Sequence, residues 1–474
     1  MKAIFKPHGA IVILFCTLLL ASSCKVSLDA QQPDIALPET FRGAAAAATT
    51  PVDVLPWGDA LKEEHLKQLI DTALVTNADL QLAVKNIDAA SQLLTQSKLG
   101  YLPNVNLAVN ATSSRPSDNS LNGISLNQFL GKRHIEDYTA GAGLSWEADI
   151  WGKVSSQKKE ALAAYLLTGE AKKAVQTQLV ANVARGYYNL LMLDAQLKIA
   201  KENEALNTNT LQIITLQYDS GQVTSLAVQQ AEAQQLTASS LVPRFEQEIV
   251  LQENAISLLL GKMPAPVVRA ASLDIFFPLE SMGAGVPAQL LQRRPDVKQA
   301  ELDIVRAKAV AQFTKANMYP SLTITAQGGV NSFTASNWFN LPASLFGNVM
   351  GGLTQPLFQR RKLKTQYELA KIEQEKAIVR FKQQLLIAVG EVSSALVKID
   401  KLGSQRLETD KRTQTLQKAT ANADLLFKNG LATYLEVITA QSNVLQSELQ
   451  SAEIKRAQLE ASIELYRSVG GGWQ

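Results

Sequence analysis

Glu147 and Asp149 stand two residues apart in a stretch where apolar and polar residues alternate. On a β-strand that spacing puts both carboxylates on one face, where paired acids could serve as general acid and general base. On a strand bounding a water-filled interior the same face is polar for a simpler reason, solvation. His65 and His134 are isolated, one on an amphipathic helical stretch and one in a long polar loop, with no ligand spacing around either. Glu301 lies near a helix start, where a carboxylate supports the helix dipole. No nucleophile elbow, P-loop, dinucleotide glycine fingerprint or zinc spacing occurs. The sequence reads as a non-enzyme with no metal site.

One residue invites chemistry of a different kind. Lys2 and Lys6 precede an apolar run at 10–20, broken only by Thr17, which is too short to span a bilayer as a helix. Ala21, Ser22, Ser23 and Cys24 follow, similar to the lipobox at which bacterial lipoproteins are cleaved and acylated. On this reading 1–23 is a signal peptide, Cys16 leaves with it, and a covalent lipid on Cys24 is the chain's only prosthetic group. An ordinary cleaved signal with an incidental cysteine is the alternative. The 474 residues carry 46 Lys+Arg against 43 Asp+Glu, a balance that gives no signal for nucleic acid.

The elements that follow are mostly long. Residues 24–56, with four prolines after Gln31 and five consecutive alanines, read as an extended tether. A helical pattern begins at Trp57, and a second helix runs from Asn77 to about Leu99. The period then becomes two at 103–111 and again at 138–150, around a polar loop at 112–137. About ten alternating residues suit a tilted membrane strand, although a half-buried soluble hairpin shows the same pattern. A helix of about 60 residues follows, to about Leu216, roughly 90 Å at 1.5 Å per residue. Another runs from Ser225 to about Leu260, with a bend expected at Pro243.

The plan then repeats. Arg294, Pro295, Asp296 and Val297 open a helix as Asn77, Ala78, Asp79 and Leu80 did. Strands are predicted at 321–330 and, more weakly, at about 347–357, and the last 118 residues contain no proline. Leu385, Val389, Val392, Leu396 and Ile399, and likewise Leu435, Ile438, Ser442, Leu445 and Leu449, step in a seven-residue rhythm that predicts coiled-coil seams. Between the long helices of each half lies one repeated stretch, 218–234 and, 209 positions later, 427–443. Gly221 and Gly430 suit a helix-ending residue of positive φ, and Thr224 and Thr433 stand where a hydroxyl could cap the next helix. Both are predicted to be tips of helical hairpins.

The expected organisation is a first repeat at 57–260, with β-hairpin 102–150 and tip 218–224, and a linker at 261–293. A second repeat at 294–474 has β-hairpin 320–357 and tip 427–433. Four strands per chain cannot close a membrane barrel, for which about eight is the minimum, so a membrane reading requires oligomerisation.

Leu290, Leu291, Gln292, Arg293, Arg294, Pro295, Asp296 and Val297 carry a resemblance to a known family, as do the run from Trp146 to Lys153 and the closing Gly470, Gly471, Gly472 and Trp473. With the duplicated plan, they resemble the outer membrane efflux protein (TolC-like) family, and the acylated N-terminus resembles its OprM/NodT-like lipoprotein branch. The resemblance implies a mainly α fold with β: coiled-coil hairpins forming a periplasmic tunnel, below a twelve-stranded outer-membrane barrel built by a homotrimer. It implies the exit duct of a tripartite efflux system in a Gram-negative bacterium, lipid-anchored in the outer membrane. Its partners would be a periplasmic membrane-fusion adaptor and an inner-membrane pump of the RND type.

Gly221, Thr224, Leu226, Gly430, Thr433 and Leu435 would then form the adaptor-docking tips. In TolC-like channels an acidic ring at the second tip lines the aperture; Glu436 falls at its first position and Thr439 at its second. The tyrosine and arginine that latch the aperture fall on Phe427 and Ala432, which cannot make that polar link. Asp219 and Lys428 flank the tips and could supply one. The competing functions are a TolC-like channel for type I protein secretion and a lipid-anchored coiled-coil scaffold without a pore.

Overall fold

The computed structural model describes residues 40–42, 56–61, 63–270, 272–273 and 293–473. Cys24, the leader, most of the tether and most of the 261–293 linker lie outside them. The chain forms two compact units, and each draws on both repeats. One contains Ala89–Tyr165 and Leu302–Ile378; the other contains Asp34–Asp88, Leu166–Glu301 and Val379–Gln474. In chain order the helices are α1 (Trp57–Ala60), α2 (Glu64–Thr76), α3 (Ala78–Leu99), α4 (Leu121–Leu130), α5 (Lys153–Asp219), α6 (Ser225–Leu259), α7 (Pro295–Ala316), α8 (Lys362–Lys428) and α9 (Tyr434–Ser468). The strands are β1 (Asn104–Ser114), β2 (Ile135–Ala148), β3 (Ser321–Ser332) and β4 (Leu345–Thr354). The repeat is quantitative: α5 and α8 have 67 residues each, and α6 and α9 have 35 each.

The first unit holds a four-stranded antiparallel sheet in the order β1-β2-β3-β4. Its register separates the two faces by chemistry on β1, β2 and β3, and on β4 apart from Phe346 and Met350, which fall on the polar side. Val105, Leu144, Ala326 and Val349 form one cross-strand row, and Val109, Ala140, Val330 and Leu345 another on the same face. The next row along, Asn106, Gly143, Gln327 and Asn348, lies on the opposite face. Apolar side chains such as Leu107, 81% exposed, stand open in the single chain, and among the described residues β1 and β4 are unpaired on their outer edges.

Several expectations are corrected here. The loop expected at 112–137 is shorter, because both strands extend into it and α4 occupies its middle, capped by the Ser120 hydroxyl accepting from Gly123 N–H at 3.1 Å. The fourth strand is Leu345–Thr354, not 347–357. Glu147 and Asp149 do not share a strand face. Glu147 bonds Lys153 at 3.0 Å, and Asp149 lies beyond β2, where its two oxygens accept from Val154 and Ser155 N–H at 2.9 Å each. A carboxylate there satisfies open donors of the first turn of α5 and complements its dipole. Trp151 completes the turn, stacking on Tyr319 at 4.9 Å and donating to the Pro320 carbonyl at 2.7 Å.

In the second unit Leu66, Ile70 and Ala73 of α2 pack with Val183, Tyr187 and Leu190 of α5, Phe245 and Ile256 of α6, and Leu459 and Ile463 of α9. Two ion networks tie loops to this core. Arg269 pairs with Asp194 at 2.5 and 2.9 Å and with Glu253 at 2.5 Å. Arg294, 3% exposed, pairs with Asp296 at 2.6 Å and Glu391 at 2.7 Å, and Arg467 reaches the same glutamate at 2.9 Å. Burial opposes ionisation of Asp296 and Glu391, but the charge and hydrogen bonds of Arg294 outweigh it and hold both carboxyls below their ordinary values.

The coiled-coil seams are rotated from their predicted positions. On α8 the buried line is Phe381, Leu385, Ala388, Val392 and Ala395, while Val389 and Leu396 are half-buried. On α9 it is Val437, Gln441, Val444 and Ser447. On α8 the prediction followed the larger Val389 and Leu396, whereas their small neighbours Ala388 and Ala395 take the fully covered positions.

Candidate functional site

Two turns in the second unit are nearly identical in geometry. Gly221 and Gly430 both have φ of +73°, and an added Cβ would meet nothing within 4 Å at either. Glycine is therefore required by the left-handed backbone, not by crowding. The carbonyls of Tyr218 and Gln217 accept from Gly221 and Gln222 N–H at 2.9 and 2.8 Å. Those of Phe427 and Leu426 accept from Gly430 and Leu431 at 3.0 and 2.8 Å, the same bonds 209 positions on.

The turns differ at the start of the next helix. Thr224 makes no side-chain capping bond, contrary to expectation. At the second tip the Glu436 carboxylate accepts from Thr433 N–H at 2.6 Å and from its hydroxyl at 2.9 Å. Those bonds, the backbone one foremost, hold the Glu436 carboxyl below the usual glutamate value. Its counterpart in the first tip, Ala227, is buried in a small core with Ile214, Ala231, Phe427 and Val437 that joins the two tips.

The predicted site residues fall into separate settings. Glu436, Thr439, Asp219 and Thr433 are exposed, as are Gly221, Gly430, Leu226 and Leu435. Phe427, at the latch position and expected among the aperture residues, is 5% exposed inside the tip core and lines no open surface of the chain. Lys428 bonds Asp424 at 2.7 Å, one turn back on α8, and is not the partner of Asp219. A polar link does join the tips, through residues the sequence reading passed over. Tyr434 donates its hydroxyl proton to Gln230 Oε1 at 2.5 Å, and deeper in, Gln441 Nε2 donates to Thr210 Oγ1 at 2.9 Å. The available signal was the position of Tyr434, where the first tip has Ser225.

The architecture and both tips have counterparts among known proteins. The model of the outer membrane efflux protein family matches residues 69–262 and 286–471. The chain belongs to the outer membrane efflux protein family. It is 27% identical to the cation efflux system protein CusC of Escherichia coli O6:H1 over 467 residues, covering 97% of this chain and 98% of that one. It is 28% identical to the pyoverdine export outer membrane protein OpmQ of Pseudomonas putida KT2440, covering 93% of each. Among solved structures, that of CusC superposes with a TM-score of 0.82 at 25% identity, covering 95% of this chain and 100% of the other. The open-state MtrE channel of Neisseria gonorrhoeae gives 0.83 at 23%, covering 95% and 99%. Members of this family are efflux channels, not enzymes, and this chain is an outer-membrane efflux channel. No helix among the described residues is long and apolar enough to cross a membrane. The sheet, with its apolar and polar faces, is the part suited to lipid.

Proposed function

We propose that this channel works as a homotrimer, each chain giving four strands to a twelve-stranded barrel, and serves as the passive exit duct of a tripartite pump. The observation that carries the reading is the sheet: one face apolar, one largely polar, and both outer edges unpaired among the described residues. Edges are not tolerated in lipid, and four strands are too few to close, so β1 of one copy pairs with β4 of the next. The lipid on Cys24 adds an anchor. The tips meet a periplasmic adaptor, offering the exposed Leu226, Leu431 and Leu435 around two rigid glycine turns, and an inner-membrane pump of the RND type supplies the energy. Glu436 contributes negative charge at the aperture.

The cargo is small molecules. Relatives of nearly equal identity are named for cations, pyoverdine and toluene, which supports a duct of coarse selectivity whose cargo is chosen elsewhere in the pump. Single-channel recording in planar bilayers, with heat-modifiable mobility on gels, tests the assembly. A folded protein that gives neither conductance nor a heat-sensitive oligomer band refutes it.

A further inference from the structure

The 209-residue repeat that relates the tips also relates the two turns leading from a strand into a long helix. Asp149, Trp151, Gly152 and Lys153 correspond to Phe358, Arg360, Arg361 and Lys362. The first turn is satisfied internally: Asp149 caps α5, Trp151 is stacked and hydrogen-bonded, Lys153 pairs with Glu147, and Gly152 takes φ +71°.

The second turn keeps the left-handed residue just before the helix and changes every one of these functions. Arg361 holds φ +64° where the first copy has glycine, and Arg360 beside it holds φ +48°. Positive φ is uncommon for any residue but glycine. The capping aspartate is replaced by Phe358, 86% exposed, next to Leu357 at 91%. Residues 356–364 contain Arg360, Arg361, Lys362 and Lys364 and no acid, and all four side chains are exposed. None makes an ion pair among the described residues. They crowd the start of α8, whose first turn has no acidic residue and whose dipole repels cations. No acidic side chain among the described residues compensates this arrangement.

An anionic bilayer surface does. The turn follows the last strand directly, and the helix it opens is not a membrane span, so the turn lies where the sheet leaves the hydrocarbon on the helix side, facing the periplasm. There an exposed leucine–phenylalanine pair suits the acyl boundary, and arginines and lysines suit the phosphates just outside it. We propose that 357–364 docks the phosphate headgroups of anionic phospholipids in the periplasm-facing leaflet, the apolar pair seated beneath the four cations. The proposal rests on the sheet lying in the membrane, and its test is read separately from channel formation.

The test uses the full-length detergent-purified oligomer, stripped of lipid and titrated with phosphatidylglycerol or phosphatidylcholine, with bound lipid counted by native mass spectrometry. The wild-type protein should prefer phosphatidylglycerol. Each cation contributes roughly fivefold, so the triple variant Arg360→Gln, Arg361→Gln, Lys362→Gln should lose about a hundredfold in affinity for it, with phosphatidylcholine binding unchanged. Arg361→Gly restores the residue of the first repeat at a left-handed position and should still lose about fivefold, separating charge from backbone. Heat-modifiable mobility and conductance should survive in both. Phosphatidylglycerol affinity unchanged in the triple variant overturns the proposal. So does a Phe358→Ser variant whose oligomer dissociates while its lipid preference persists, since the turn would then be covered by a second copy of the chain.

Discussion

The hydroxyl of Tyr434 donates to Oε1 of Gln230 across 2.5 Å and joins the second tip to the first. Beneath it Phe427 and Val437 share one apolar core with Ile214 and Ala227. The pair of tips is therefore held by a small core and a surface hydrogen bond. If the aperture opens by separating the tips, Tyr434→Phe removes the bond and keeps the ring. At about 1 kcal/mol for a hydrogen bond, the open-to-closed ratio should rise roughly fivefold. Single-channel recording measures it; an unchanged open probability would show that the tips do not part.

Glu436→Gln separates charge from capping. Glutamine at the third helical position can still accept from the Thr433 N–H, so the helix start is retained while the charge is lost. Cation-over-anion permeability should fall in reversal-potential measurements. Because its capping bonds depress the carboxyl below the ordinary 4.5, wild-type selectivity should persist as pH falls through 4.5 and decline only at lower pH. A ratio indifferent to the substitution would remove Glu436 from the aperture.

Arg294→Met leaves the Asp296 carboxylate without its cation and Glu391 with Arg467 alone. Breaking a buried pair of this kind typically costs about 3 kcal/mol or more, which thermal unfolding of the purified channel should register as a clear drop in Tm. Asp296 and Glu391 are depressed in the folded chain, so their stabilisation is complete above the unfolded-state values of 3.8 and 4.5 and is lost as pH falls below them. Wild-type Tm should decline in that acid window, and the Arg294→Met variant should decline less.

Gly221→Ala and Gly430→Ala should cost nearly the same, about 1 kcal/mol each, since both glycines have φ +73° and open space. Gly430→Pro is harsher, because it also removes the N–H that bonds the Phe427 carbonyl. It should abolish capture by the adaptor in a pull-down while leaving the heat-modifiable barrel. Loss of the barrel instead would place this tip's role in assembly.

The element order, the long helices and the two glycine turns were legible in the sequence, because each rests on local physics: the period of apolar residues, the absence of proline, and a backbone angle that only glycine adopts readily. The alternation that marks β2 was local too, and so the strands were found. What the side chains at their ends do was not. Asp149 and Glu147 looked alike by spacing, yet one caps the helix that starts four residues on and the other holds Lys153. The seams were misplaced by a fraction of a turn, since burial on α8 selects Ala388 and Ala395 over larger neighbours, a choice made by how closely helices approach. Tyr434 and Gln230, 204 residues apart, could meet only through the packing of two hairpins. The sequence by itself determined the duplication and the turns it repeats; tertiary structure decided which residues of each copy are spent on holding the fold and which remain free to meet lipid, partner or cargo.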